Sequence, residues 1–211
     1  MKKTCLFRRA VLTALAVLMA FSLWTPVCAA PPSISSDYYI LMDAATGQVL
    51  YEKNSTAQLP PAGLVKILTA LVAVENISDP TAKLSVTSSA LTPLGTGVKS
   101  IGLTAGELVP AVDCLYAMLM TSANDAANVV AESVGTSLDG FMTMLRNRAA
   151  ELGADTTVLV NPNGLSAEGQ VSSARDIALF TRAALANASF MQHFGKVSYA
   201  LQPTNKRTEP K

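Results

Sequence analysis

The spacing of hydrophobic positions changes character along this chain, and each change marks an expected element. Lys2, Lys3, Arg8 and Arg9 precede an uncharged, mostly apolar run from Ala10 to Phe21. Two β-rich runs follow, Tyr38-Tyr39-Ile40-Leu41-Met42-Asp43 and Gln48-Val49-Leu50-Tyr51-Glu52-Lys53, joined by Ala44-Ala45-Thr46-Gly47. They predict an N-terminal β-hairpin with Gly47 in the positive-φ position of its turn. Pro60-Pro61-Ala62-Gly63 breaks the chain before Leu64 to Glu75, which is apolar almost all round and predicts a buried helix. From Ala82 to Leu103 the Ser, Thr, Gly and Pro content predicts an irregular, loop-rich subdomain over one face.

The remainder reads as helical. Thr104 and Glu107 have capping-box spacing, so a helix is expected to open there, to tolerate Pro110 in its first turn and to run to about Met120. After Ser122-Ala123-Asn124 a second helix is expected from about Asp125 to Val134, stopping at Gly135. Ser137 opens a third, with Phe141, Leu145, Arg148 and Leu152 at helical spacing and Gly153 as terminator. Asn161-Pro162-Asn163-Gly164 is a turn, and Ser173 with Asp176 caps a last helix through Ile177, Phe180 and Ala184. One hairpin and about five helices make a mixed α/β (α+β) class, with no repeats or linkers.

The basic start, the apolar run and the small-residue exit at Val27-Cys28-Ala29 have the layout of a secretory signal peptide, cleaved after Ala29. The stretch up to Trp24 keeps an uncleaved anchor open as the alternative. Residues 1–29 are thus expected to be a signal and 30–211 one domain, exported to the cell wall or periplasmic space. Losing four of the 16 basic residues leaves 12 against 15 acidic ones, net −3, which gives nucleic acid nothing to bind. Contact with a membrane is then expected only through the signal segment or by association with its outer surface.

Cleavage also leaves Cys114 as the single cysteine, inside an apolar helix and so expected to be an inert core residue. His193 is the single histidine, expected on the surface beyond the last long helix; a Ser-His-Asp triad or a zinc site would depend on it. No cofactor or metal is called for.

Three segments carry a resemblance. Pro61-Ala62-Gly63-Leu64-Val65-Lys66-Ile67-Leu68-Thr69-Ala70-Leu71 resembles the P-A-S-L-T-K-[LI]-[ML]-T-A-L stretch of the serine D-alanyl-D-alanine carboxypeptidases, low-molecular-mass penicillin-binding proteins. Asp113 to Ala127, containing Ser122-Ala123-Asn124, is similar to their S-x-N motif and the helix before it. Asn161-Pro162-Asn163-Gly164-Leu165, with Ser173-Ala174-Arg175-Asp176 beyond, resembles their N-P-[HN]-G-L turn and T-A-R-D helix start. Order and spacing agree from about Ile34 onward, which is more specific than any single triplet.

The resemblance implies a β-lactamase/penicillin-binding-protein-like fold that acts on the D-Ala-D-Ala end of peptidoglycan stem peptides. In that family a serine at the start of the buried helix attacks the peptide bond and forms an acyl-enzyme that water releases. Lysine one turn on takes its proton, the S-x-N serine and asparagine line the opposite wall, and a K-T-G strand receives the terminal carboxylate. This chain keeps Lys66, Ser122 and Asn124, but the nucleophile position is Gly63 and no K-T-G occurs as far as Lys211. Losing the nucleophile costs a serine hydrolase about 10⁶ in turnover. The expectation is a catalytically deficient member that neither hydrolyses the peptide nor is acylated by penicillin, in which Gly63→Ser alone restores little. The sheet strands after Thr204 are expected to be missing, leaving the hairpin with an unpaired edge. The alternative is a non-catalytic peptidoglycan-binding or interaction protein that pairs a partner polypeptide with that edge.

Plainer roles stand beside these. Lys66 could be a snorkelling helix lysine, Ser122, Asn124 and Asp125 helix caps, Gly63 a helix-start glycine, and Asn163 and Gly164 turn residues only.

Overall fold

The computed structural model describes residues 33–92 and 94–209. The expected signal segment, residues 1–29, lies outside the described residues.

Strands β1 (Tyr39–Met42) and β2 (Val49–Lys53) form the expected antiparallel hairpin, pairing Tyr39 with Lys53 and Leu41 with Tyr51 before a bulge at Met42. Its turn closes through Gly47, which has φ +78°. Pro61 leads into a single 3-10 turn, Ala62–Leu64, and then helix α1 (Val65–Asn76). Eight of the twelve α1 residues are buried, as an all-round apolar helix requires.

The stretch expected to be irregular is only partly so. It holds strand β3 (Lys83–Ser85) and a one-turn helix α2 (Ser88–Leu91), whose N-cap Thr87 accepts from the Ala90 amide. Strand β3 pairs antiparallel with β4 (Leu108–Pro110), matching Leu84 with Val109.

That pairing corrects the expected helix start. The Thr104–Glu107 spacing closes a tight turn instead, with the Glu107 carboxylate accepting from the Thr104 amide at 3.1 Å and Gly106 at φ +80°. Residues 108–110 are then used by the sheet, and helix α3 (Ala111–Thr121) begins directly after Pro110, which fixes its own φ and donates no hydrogen bond. A capping box is a local contact, and here a strand partner from residues 83–85 outweighs helix propagation.

Helices α4 (Asn124–Gly135), α5 (Leu138–Glu151) and α6 (Ala174–Ala186) match expectation within a residue or two. Ser137 and Ser173 cap α5 and α6 by accepting from the amides of Gly140 and Asp176. A short helix α7 (Ala188–His193) follows, capped by Asn187. It folds back onto α1 and α3, so His193 is not on the surface. The ring is 6% exposed and edge-on to Tyr116 at 5.4 Å, and burial beside Lys196 lowers its pKa.

Helix α1 is the hub, packed against α3, α4, α5, α6 and α7. Leu68 and Leu71 from α1 meet Leu115, Met118, Val130, Phe141, Leu145 and Phe180, all fully buried. Cys114 lies in this core, where burial drives its thiol pKa well up and leaves it unreactive.

Buried carboxylates tie the loops to this core. Asp113 accepts from the Tyr199 hydroxyl at 2.7 Å and the Gln202 amide at 2.6 Å, holding residues 199–202 against α3. Asp125, at the start of α4, accepts from Ser100 Oγ (2.6 Å) and from the Ile101 and Leu103 amides. The hairpin rests on α6 through β1, and a groove of about 540 Å³ separates the two, lined by Tyr39, Leu41, Leu64, Ile177 and Leu185. The β1–β2 sheet has two strands among the described residues, so the edge of β1 away from β2 has no strand partner there.

Asp125→Ala removes the buried acceptor shared by Ser100 Oγ and the Ile101 and Leu103 amides. Urea unfolding should show a loss of about 3 kcal/mol or more, whereas Asp155→Ala, on an exposed loop, should stay within about 0.5 kcal/mol of the parent. Equal losses in the two variants would contradict the anchoring role of Asp125.

Candidate functional site

Three segments converge at the N-terminal end of α1. The first is the 3-10 turn itself, with Ala62 at φ +47° and Gly63 exposed to solvent. Lys66, one turn further along the same face, points inward and is 4% exposed. The second segment is the α3–α4 junction. Ser122 ends α3 in the left-handed region (φ 59°, ψ 35°), a conformation that costs a serine free energy and is sustained by its surroundings. Asn124 starts α4, and both its backbone and side-chain N–H groups donate to the Lys99 carbonyl at 2.9 Å.

The third segment is the 161–165 turn. Gln170 stitches it from outside, accepting from the Val160 and Asn161 amides and donating to Leu165 O. Gly164 has φ +78°, and a Cβ there would sit 1.9 Å from the Ala62 carbonyl oxygen, so only glycine lets this turn lie against residues 62–63. Thr69 bonds Pro162 O at 2.6 Å, and Asn163 Nδ2 donates to Asn128 Oδ1 at 2.9 Å.

Lys66 joins all three. Its amine donates to Asn124 Oδ1 at 2.9 Å and to the Asn163 carbonyl. A Cβ built on Gly63 would lie 2.9 Å from Ser122 Oγ and 3.9 Å from Lys66 Nζ. The four residues expected to lie together are thus near one another: Lys66 contacts Asn124, and Gly63 faces Ser122 and Lys66. Asn163 was expected to be a turn residue only. The structure adds its carbonyl to the contacts of Lys66, while Asn128 had no signal in the sequence. Ser55, before the double proline, is not among these residues: its hydroxyl donates to Glu52.

Burial, reinforced by the positive charge of Lys99, pulls the Lys66 pKa down to about 8. Near neutrality the amine is thus within reach of both protonation states, as a proton acceptor has to be. Among the described residues no group of three or more His, Cys, Asp or Glu side chains is arranged to hold a metal ion.

Lys66, Ser122, Asn124 and the 161–165 turn thus meet around the exposed turn at Gly63, and comparisons with known proteins show the family of the chain. The sequence model of the D-alanyl-D-alanine carboxypeptidase family (peptidase S11) matches residues 25–205, and the chain belongs to that family. It is 32% identical to the D-alanyl-D-alanine carboxypeptidase DacF of Bacillus subtilis over 80% of this chain and 44% of the relative. It is 34% identical to DacC of Escherichia coli over 72% of this chain and 40% of the relative. The chain thus spans less than half the length of either.

Among solved structures, the D-alanyl-D-alanine carboxypeptidase from Mycobacterium tuberculosis superposes with a TM-score of 0.77 at 29% identity, covering 89% of this chain and 70% of that one. Penicillin-binding protein 6B from Escherichia coli gives 0.76 at 28% identity, covering 87% and 60%. The fold is therefore the penicillin-binding-protein fold.

The lowered pKa of Lys66 links to stability with a definite sign. From pH 8 to about 10.5 the unfolded chain keeps this proton and the folded chain has lost it. Stability from this residue therefore rises with pH across that window and is level below it. Relative to Lys66→Met, the parent should gain on the order of 2 kcal/mol between pH 8 and 10 in denaturant titrations. Parallel pH profiles for the two proteins would exclude a buried, deprotonatable amine.

Proposed function

We propose that this chain is a non-hydrolysing member of the carboxypeptidase family that binds peptidoglycan stem peptides ending in D-Ala-D-Ala. The observation that carries the reading is Gly63. The point from which an attacking hydroxyl would project lies 2.9 Å from Ser122 Oγ and 3.9 Å from Lys66 Nζ, and no side chain is there. Base, hydroxyl and amide remain arranged around a missing nucleophile. Removing that one group costs about 10⁶ in turnover, close to the cost of removing the whole set. In this reading Lys66, Ser122 and Asn124 are the binding wall. The basic and apolar layout of residues 1–29 supports an exported, extracytoplasmic protein, and among the described residues no helix is long and apolar enough to cross a membrane.

Incubation of the purified chain with a fluorescent penicillin tests the loss of catalysis. No label should survive denaturing electrophoresis. A label that forms on the folded protein and not on protein denatured beforehand overturns the reading.

A second reading rests on the β1 edge. The whole of β1 lines the groove beside α6, and Leu41 and Leu64 are exposed there. An extended polypeptide could add as a third strand, its backbone pairing with β1 and its apolar side chains entering the groove. The amides of that edge should then exchange with deuterium within the dead time in the isolated chain. Strong protection there, without a partner, argues against a free edge.

A further inference from the structure

Helix α7 is six residues long, and two of its side chains, Phe190 and His193, are buried. From Phe194 to Ser198 every residue is exposed, Val197 almost completely. A helix this short has little stability of its own, so its seat on α1 and α3 depends on those two anchors. One of them can titrate. His193 is the single histidine of the chain, and imidazole is the side chain whose ordinary pKa falls between pH 5 and 8.

The surroundings of His193 suit a neutral ring. It meets Tyr116 of α3 edge-on at 5.4 Å, and Tyr116 stacks on Tyr199 at 3.8 Å. Nδ1 is buried and has no hydrogen-bond partner among the described residues. Lys196 holds its amine 5.0 and 5.6 Å from the centroids of the Tyr116 and Tyr199 rings, and its positive charge opposes a second one on the imidazole. The charged groups of the neighbouring elements are engaged elsewhere. Asp113 of α3 accepts from Tyr199 and Gln202, and Glu75 of α1 pairs with Arg148. Asp79, in the loop after α1, accepts from Thr81, and Arg182 of α6 donates to the Ala44 carbonyl. A cavity of about 190 Å³ beside the ring, lined by Val74, Ile77, Leu115 and Ser189 among others, has no acidic group in its wall. An imidazolium here would be a buried cation without a counter-ion, which is costly.

We propose that His193 makes residues 188–198 a pH-gated latch: the neutral ring seats α7 on α1 and α3, and its protonation releases the segment while the rest of the fold stays closed. The released segment remains tethered at both ends, by α6 before it and by the hold of Asp113 on Tyr199 and Gln202 after it. The direction follows from burial, which with Lys196 lowers the pKa of the ring in the folded chain. The opened segment therefore binds the proton more tightly, so the latch is shut above about pH 6.5 and loosens as the pH falls below it. The device lies at the C-terminal end of α1, away from Lys66, and stands independently of the stem-peptide reading.

Hydrogen–deuterium exchange of the purified full chain, corrected for the intrinsic pH dependence of the exchange chemistry, tests the latch. Between pH 7 and pH 5 the bonded amides of α7 and its end, those of Phe190, Met191 and Phe194, should lose protection by about tenfold. The amides of α1 should keep theirs. His193→Phe puts an unchargeable ring in the same place and should give α7 equal protection at both pH values. If that variant does not fold, His193→Gln supplies a second uncharged side chain for the same comparison. An unchanged α7 in the parent, or the same loss in the parent and the variant, overturns the latch. A loss shared equally by α1 also overturns it, since that is general unfolding.

Discussion

A lysine amine buried to 4% exposure with no carboxylate beside it has to be surrounded by neutral oxygens, and the placing of those oxygens organises this end of the molecule. Asn124 provides one from the start of α4, and the Asn163 carbonyl provides another from a turn nearly a hundred residues further along the chain. Three segments distant in sequence are therefore locked by one charge. Each lock has its own support. Asn124 is fixed by the Lys99 carbonyl, and the loop that bears Lys99 is pinned by the Asp125 carboxylate. The 161–165 turn is pinned by Gln170 and by Thr69, and it fits against Ala62 only because residue 164 has no side chain. Buried polar networks of this kind are stable when every member is satisfied and costly when one is not.

The same dependence explains why the local shape does not require a side chain at position 63. Gly63 is exposed, and no side chain there takes part in the locks. Its chain path is set by Pro61 before it and by α1 after it, and Gly164 lies against the Ala62–Gly63 backbone, not against a side chain at 63. Local folding at this position thus does not depend on what side chain stands at 63.

Much of this was legible in the sequence because it is local. Ser137 and Ser173 announce α5 and α6 by the caps they make, and the all-apolar run after Leu64 could only be a buried helix. The link between Lys66 and the 122–124 pair came from resemblance, since nothing in spacing alone joins residues 58 apart. Misreadings arose where a distant partner decided the outcome. Thr104 and Glu107 do make the capping contact, but β3 claims residues 108–110 and delays the helix to Ala111. His193 looked like a surface residue after the last long helix, and is buried because α7 turns back onto Tyr116. The carbonyl of Asn163 was invisible for another reason, since any residue type can offer a backbone oxygen.

The lysine itself is the remaining argument. If the network served only to hold α1, α4 and the 161–165 turn together, a long apolar side chain at position 66 would fill the same space without desolvating a charge, and replacements of that kind are often neutral or stabilising. Two neutral acceptors lessen that cost without cancelling it, as the depressed pKa records. Thr69 already supplies an uncharged tie from α1 to the turn through Pro162. The tie from α1 to the turn is thus shared between Lys66 and Thr69, and the charge is the part of it that carries a desolvation cost. What it adds is a titratable donor beside the exposed Gly63 turn, between Asn124 and the Asn163 carbonyl.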